Sequence, residues 1–270
     1  MSTLADRAIA ALRTTHDGLA AFVRGLDSAD LDRQSGASEW TVAQVLSHLG
    51  SGAEIGLATL RAALDGQEAP GQDFNHEVWD RWNAKDPEGQ CKDFLVADAE
   101  IVSAYEGLDA GSRERLRIKL GFLPEPGDVA LVAGMRLNEA ALHAWDVRVA
   151  FDPAATVASE TGGVLTDLYS GPLDFMIGFI GRSDALDDPR RATTLRVETT
   201  DPARVLGLTL GETVGFSEAP EAADVTLSLP AEAWVRLLGG RLAGEHTPAS
   251  VAVTGDGITL DDLRRVFPGI

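Results

Sequence analysis

The sequence predicts an α+β protein of two domains, a helical bundle followed by a unit built around a sheet. Three observations carry that expectation. From residue 3 to about 150, apolar residues recur at three- and four-residue intervals, the repeat of a helix with one buried face. After about residue 180 the period becomes two, in "TTLRVETT", "RVLGLTLG", "ADVTLSLP" and "ASVAVTG", each bounded by Gly, Pro or Asp, as half-buried strands are. At 270 residues the chain also exceeds the usual size of one domain. The texture changes at "FDPAATV", between residues 151 and 158, which divides the chain into domains 1–155 and 156–270.

Taken in order, the first helix is expected from Leu4 to Leu26, with Ile9, Leu12, Leu19 and Phe22 among its apolar positions. The second begins at Thr41, which with Gln44 reads as a capping box, and runs to about Ala63. A third, interrupted helix covers "FNHEVWDRWNAK" and "FLVADAEIVSAYEGL"; the loop "GFLPEPGD" precedes a fourth from Val129 to Ala150. Four long helices with irregular connections predict an antiparallel bundle, whose facing helices are a usual place to build metal sites. A further apolar helix is expected from Thr161 to Ile180. Three strands, the helix "PAEAWVRLLGGRL", a fourth strand and the short helix "TLDDLRRVF" follow, an order that implies an antiparallel or mixed sheet.

Composition narrows the function. The formal charge of -19, from 42 acidic against 23 basic side chains, repels a phosphate backbone and an anionic membrane surface, so no nucleic-acid or membrane partner is expected. Cys91 is the single cysteine, which excludes an internal disulfide and fits a reducing cytoplasm. The N-terminus carries charge every few residues and does not read as a signal peptide, and no apolar run reaches the length of a membrane span.

The candidate site lies in "MRLNEAALHAWDV". Glu139 and His143 are four residues apart, so on a helix they share a face and can address one cation. Leu137, Ala140, Ala141, Leu142, Ala144, Trp145 and Val147 leave little polar face around them, and buried ionisable groups need a partner or a metal. A solvated surface pair is the plain alternative. His48, in "WTVAQVLSHL", falls about sixty degrees beyond Val45 around its helix. It is open to two readings, a satisfied histidine at the core margin or a third ligand from a second helix. Three N/O ligands with a fourth position open is how a catalytic zinc is held.

The two segments "WTVAQVLSHL" and "RLNEAALHAWDV" resemble the DinB-like metal-binding bundle of mycothiol-dependent maleylpyruvate isomerases and their relatives. The segment "ADVTLSLPAEAWVRLLGGRLAG", with "ASVAVTGD" after it, is similar to the sterol-carrier-like α+β domain that follows the bundle in that family. The resemblance covers nearly the whole chain and is weakest from about residue 66 to 125. It implies that His48, Glu139 and His143 ligate a divalent metal. Two His and one carboxylate suit zinc, though iron, nickel or manganese also accept such a set.

The resemblance also implies mycothiol as a thiol cofactor, whose sulfur on the metal is held as thiolate. In isomerisation that thiolate adds to a carbon–carbon double bond conjugated to a carbonyl, the bond rotates, and elimination returns the thiol. In a mycothiol S-transferase the product keeps the sulfur. The substrate is then a small carboxylate or other electrophile. An arginine of the C-terminal domain is implied near the substrate carboxylate, with Arg241 in "LLGGRL" as the position chosen and Arg236 as its competitor; a bidentate fork suits a carboxylate. Asp146, three residues after His143, is a candidate outer partner for its ring nitrogen or for a neighbouring basic group, against a solvated helix-end aspartate. Arg136 is expected to pair with Glu139. Cys91, with Lys92 balanced by Asp93, reads as a bystander, and His16, His76 and His246 sit in polar surroundings without ligand spacing. A metal-water hydrolase and a small-molecule binding module without turnover are the other readings.

Overall fold

The computed structural model describes residues 2–186 and 192–269. The chain divides into two compact units, Met1–Ala155 and Thr156–Ile270. The first is helical: α1 (Leu4–Val23), α2 (Ser28–Leu31), α3 (Val42–Leu64), α4 (Gln72–Asn83), α5 (Pro87–Glu106), α6 (Ala110–Arg115) and α7 (Val129–Val149). Four long helices, α1, α3, α5 and α7, make the bundle, with α3 against α5 and α1 against α7 as its principal packings.

Local chemistry sets the helix ends. Thr41 Oγ1 accepts the Gln44 amide while Gln44 Oε1 takes the Thr41 amide, the capping box read from the sequence. The interruption between α4 and α5 comes at Asp86-Pro87, where Asp86 caps α5 by accepting the Gly89 amide and Pro87 occupies the first turn. The first helix ends at Val23 rather than Leu26, because Asp27 starts a new turn by capping Asp30. The bundle core gathers Leu19, Val23, Val42, Val45, Leu46, Leu49, Val78, Trp82, Phe94, Ala144 and Val147. Gly50 matters for this packing: a Cβ there would lie 2.1 Å from the Trp82 ring, so only glycine lets α4 lay its tryptophan on α3.

A buried charge cluster crosses the same core. Asp98 of α5 receives Arg136 of α7 on one oxygen and meets His16 Nδ1 of α1 at 2.7 Å on the other. The Arg136 guanidinium also donates to the Leu49 carbonyl of α3 at 3.0 Å. Two sequence readings change here. His16 is buried rather than in polar surroundings, because its partner arrives from a helix eighty-two residues away. Arg136 pairs with Asp98, not with Glu139, since its side chain turns inward to α5 and α3.

The second unit holds α8 (Ser159–Tyr169), α9 (Met176–Ile180), β1 (Thr193–Thr200), β2 (Arg204–Leu210), β3 (Gly215–Ser217), β4 (Val225–Pro230), α10 (Ala231–Leu238), β5 (Ala252–Gly255) and α11 (Leu260–Val266). The sheet order is β3-β2-β1-β4-β5, with β1 and β4 parallel and the other pairs antiparallel. The sheet is therefore mixed, and it gains β3, a three-residue edge strand too short to show a period. Leu195 and Val197 stand beside Val225 and Leu227 in register, all buried, so one face carries a continuous apolar row. Trp234 of α10 meets Phe216 and Phe267 edge-on. The single helix expected from Thr161 to Ile180 is instead α8 and α9, because Gly171-Pro172 breaks it: Pro172 has no amide to donate and disfavours helical backbone before it.

Burial pushes the Asp98 carboxyl up, but the Arg136 charge and the His16 and Arg136 hydrogen bonds outweigh it and hold it below the usual carboxylate range. A carboxyl depressed on folding contributes stability above its ordinary pKa of about 4, and that contribution is lost as pH falls through the lower folded value. Urea denaturation should therefore show Asp98→Ala less stable at pH 7 by about 3–5 kcal/mol, with the gap to wild type narrowing at strongly acidic pH.

Candidate metal centre

α3 and α7 bring His48, Glu139 and His143 together. His48 lies less than two turns after the Thr41 cap, and Asp128 caps α7 by accepting the Leu131 amide at 2.8 Å. The i, i+4 spacing puts Glu139 and His143 on the face of α7 that meets His48. His48 Nε2 lies 3.0 Å from Glu139 Oε2, and His143 Nε2 lies 3.6 Å from the same oxygen. One donor atom from each residue falls within 4.8 Å of the others. Metal–ligand bonds near 2.1 Å in a tetrahedron set donors about 3.4 Å apart, so the donor set fits a divalent cation of zinc's size. The side chains of His48 and Glu139 are 38% and 48% exposed, and that of His143 is 12% exposed, so solvent reaches the first two while His143 is largely covered.

Asp146 stands directly behind His143. Its Oδ2 lies 2.8 Å from His143 Nδ1, and its side chain is fully buried. That partner accepts the Nδ1 proton and turns Nε2 toward Glu139. A solvated helix-end aspartate does not describe it. Burial disfavours protonated His143, yet the hydrogen bonds and charges of Asp146 and Glu139 outweigh burial and raise its pKa. Glu139 is crowded by protein even though solvent reaches nearly half of it. That desolvation pushes its carboxyl up, but His143 and His48 outweigh it and hold it far below the usual range. Glu139 and His143 thus each favour the charged form of the other.

The other sequence candidates separate. Arg236 is fully buried and forks onto both oxygens of Glu232, with its remaining arm on the His246 carbonyl at 2.9 Å; it is a structural residue of the second unit. Arg241 is half-buried and donates to the Gly239 carbonyl at 2.7 Å. Burial pushes the Cys91 thiol up, away from the thiolate that nucleophilic chemistry needs. One residue at the centre escapes a search for ligand spacing. Trp40, immediately before the Thr41 cap, lies against both imidazoles, and its only sequence signal is an aromatic at the mouth of a capped helix.

Fold and site together define a class: a two-domain α+β chain whose helical unit presents two imidazoles and a carboxylate from facing helices. The family model of the mycothiol maleylpyruvate isomerase N-terminal domain matches residues 12–148, and the chain belongs to that family. The crystal structure of the mycothiol-dependent maleylpyruvate isomerase is similar over 94% of this chain and 96% of that one, with a TM-score of 0.61 at 15% identity. A histidine-to-alanine mutant of that enzyme matches with the same values. At this identity the likeness is one of fold, and it includes the mixed sheet of the second unit. Comparison with curated proteins gives no match. No helix among the described residues is long and apolar enough to cross a membrane.

A cation here must displace the proton of His143, so affinity for Zn2+ should fall as pH drops through the raised His143 pKa. Asp146→Ala should lower that affinity by about 10- to 100-fold, measured by competition against a chelating dye.

Proposed function

We propose that this chain is a divalent-metal-dependent, mycothiol-dependent isomerase of the maleylpyruvate type. The observation that carries the reading is the convergence of His48, Glu139 and His143 with Asp146 behind them, in a chain of this family. A divalent cation bound there, most simply zinc, supplies the charge that keeps a cofactor thiol in its thiolate form at neutral pH.

The chain's own residues have separate tasks. His48, Glu139 and His143 hold three ligand positions and leave the solvent-open side to the cofactor and substrate. Asp146 holds the His143 ring in one tautomer, so Nε2 is always the ligand atom. No protein nucleophile is required, in keeping with a Cys91 thiol kept protonated by burial. We assign Arg241 to the substrate carboxylate, the position the family resemblance implies, since the fork of a guanidinium suits a carboxylate. The substrate is a small unsaturated carboxylate whose double bond changes from cis to trans.

The test begins with elemental analysis of protein purified without added metal. One equivalent of a divalent metal in the wild type and loss of it in His48→Ala is the expected result; a full equivalent retained in that variant would sink the site. Turnover of maleylpyruvate should need added mycothiol. Product that keeps the sulfur would mark an S-transferase instead, turnover without thiol a hydrolase, and no turnover a binding protein. Arg241→Ala should raise KM for the carboxylate substrate by about 10-fold or more while leaving metal content unchanged.

A further inference from the structure

We propose that Trp40 is a positioning residue for the cation ligands, an inference that rests on the metal-dependent reading above. Its ring centroid lies 5.0 Å from that of His48, with planes at 38°, and 5.9 Å from that of His143, with planes at 32°. The two imidazoles are themselves 4.7 Å apart at 66°. The three rings close a triangle, with the indole plane tilted against each imidazole.

The loop that delivers Trp40 is held at every turn. The Trp40 carbonyl accepts three donors, the Ser35 amide at 3.0 Å, Ser35 Oγ at 2.7 Å and Gln34 Nε2 at 2.9 Å. Its amide donates to the Ala37 carbonyl at 3.0 Å, and the Val42 amide donates to the Arg33 carbonyl at 2.9 Å. Gly36 ties this loop to the far side of the site by donating to the Asp146 carbonyl at 2.8 Å. A Cβ on Gly36 would lie 2.7 Å from Val149 Cγ1 and 3.0 Å from Asp146 Oδ1, so the approach is close enough to require glycine. One short loop therefore touches His48 and His143 through Trp40, and Asp146 through Gly36.

The physical effect follows from ring electrostatics. An imidazole that ligates a cation carries part of its charge, and the negative face of an indole attracts that charge. Trp40 also blocks rotation of both imidazoles away from the donor geometry, so less rotamer freedom is lost on binding. Both effects act on cation affinity and on the ligand field, whereas a merely structural tryptophan would act on folding alone.

The test titrates the metal-free full chain with Co2+, following visible absorption and tryptophan fluorescence. Trp40→Leu, which keeps apolar bulk without a π face, should bind Co2+ about 10- to 100-fold more weakly with a shifted visible band, a change that the loss of core contact common to both Trp40 variants does not produce. Trp40→Phe should bind close to wild type but lose most of the Co2+ quenching, since the emitter beside the cation is gone. Trp79→Leu, in the exposed part of α4, should change neither readout. Wild-type affinity and spectrum in Trp40→Leu, or undiminished quenching in Trp40→Phe, would overturn the clamp alone. A wild type that takes up no Co2+ would overturn the metal reading and the clamp with it.

Discussion

A carboxylate taken out of water among four helices has to be neutralised where it lies, and Asp98 is that carboxylate. Its partners are fixed in kind and number: an imidazole from α1 and a guanidinium from α7 that also caps a carbonyl of α3. Misplacing any one of the four long helices leaves a charge or a polar group buried without a partner, at a cost of several kcal/mol. Apolar packing alone tolerates sliding of one helix along another; a shared ion does not. The cluster therefore sets the register of α3 against α7, and that register brings His48 to Glu139. Arg136 lies one turn before Glu139, and the carbonyl it holds belongs to Leu49, the neighbour of His48.

Around the three donors the structure places groups that work at one remove. Asp146 fixes a tautomer, Trp40 covers the imidazoles, and Gly36 links the loop of one to the backbone of the other. The electrostatics agree with the geometry: the acid is held ionised and the histidine is held basic by the same proximity. In the second unit the corresponding discipline comes from sheet register and from the Arg236–Glu232 fork, which explains why a conspicuous arginine near the end of α10 has a structural task.

Legibility in the sequence followed the range of the interaction. Thr41 with Gln44 and Glu139 with His143 lie about a turn apart, so residue type and spacing alone expose them, whereas the Asp86 cap at the start of α5 lay outside the stretch read as helix. The break at Gly171-Pro172 was equally local, yet the strong apolar run through Leu173, Phe175 and Ile177 masked it as one helix. The edge strand β3 is too short for a period to emerge. The sheet strands β1, β2, β4 and β5 were readable because each alternates over several residues.

What the sequence by itself determined is most of the elements and the shared helix face of Glu139 and His143, in a strongly acidic chain with one cysteine. Only the tertiary structure decided which charges meet. His16 read as a residue in polar surroundings until Asp98 reached it from α5, Arg136 faced inward rather than toward Glu139, and Trp40 acquired its place through a folded loop. The physical reason is common to all three. Helical periodicity tells which face a side chain occupies, whereas the partner on the opposing helix depends on how far one helix is shifted along the other, and that shift is written in long-range packing and buried charge rather than in any local stretch of chain.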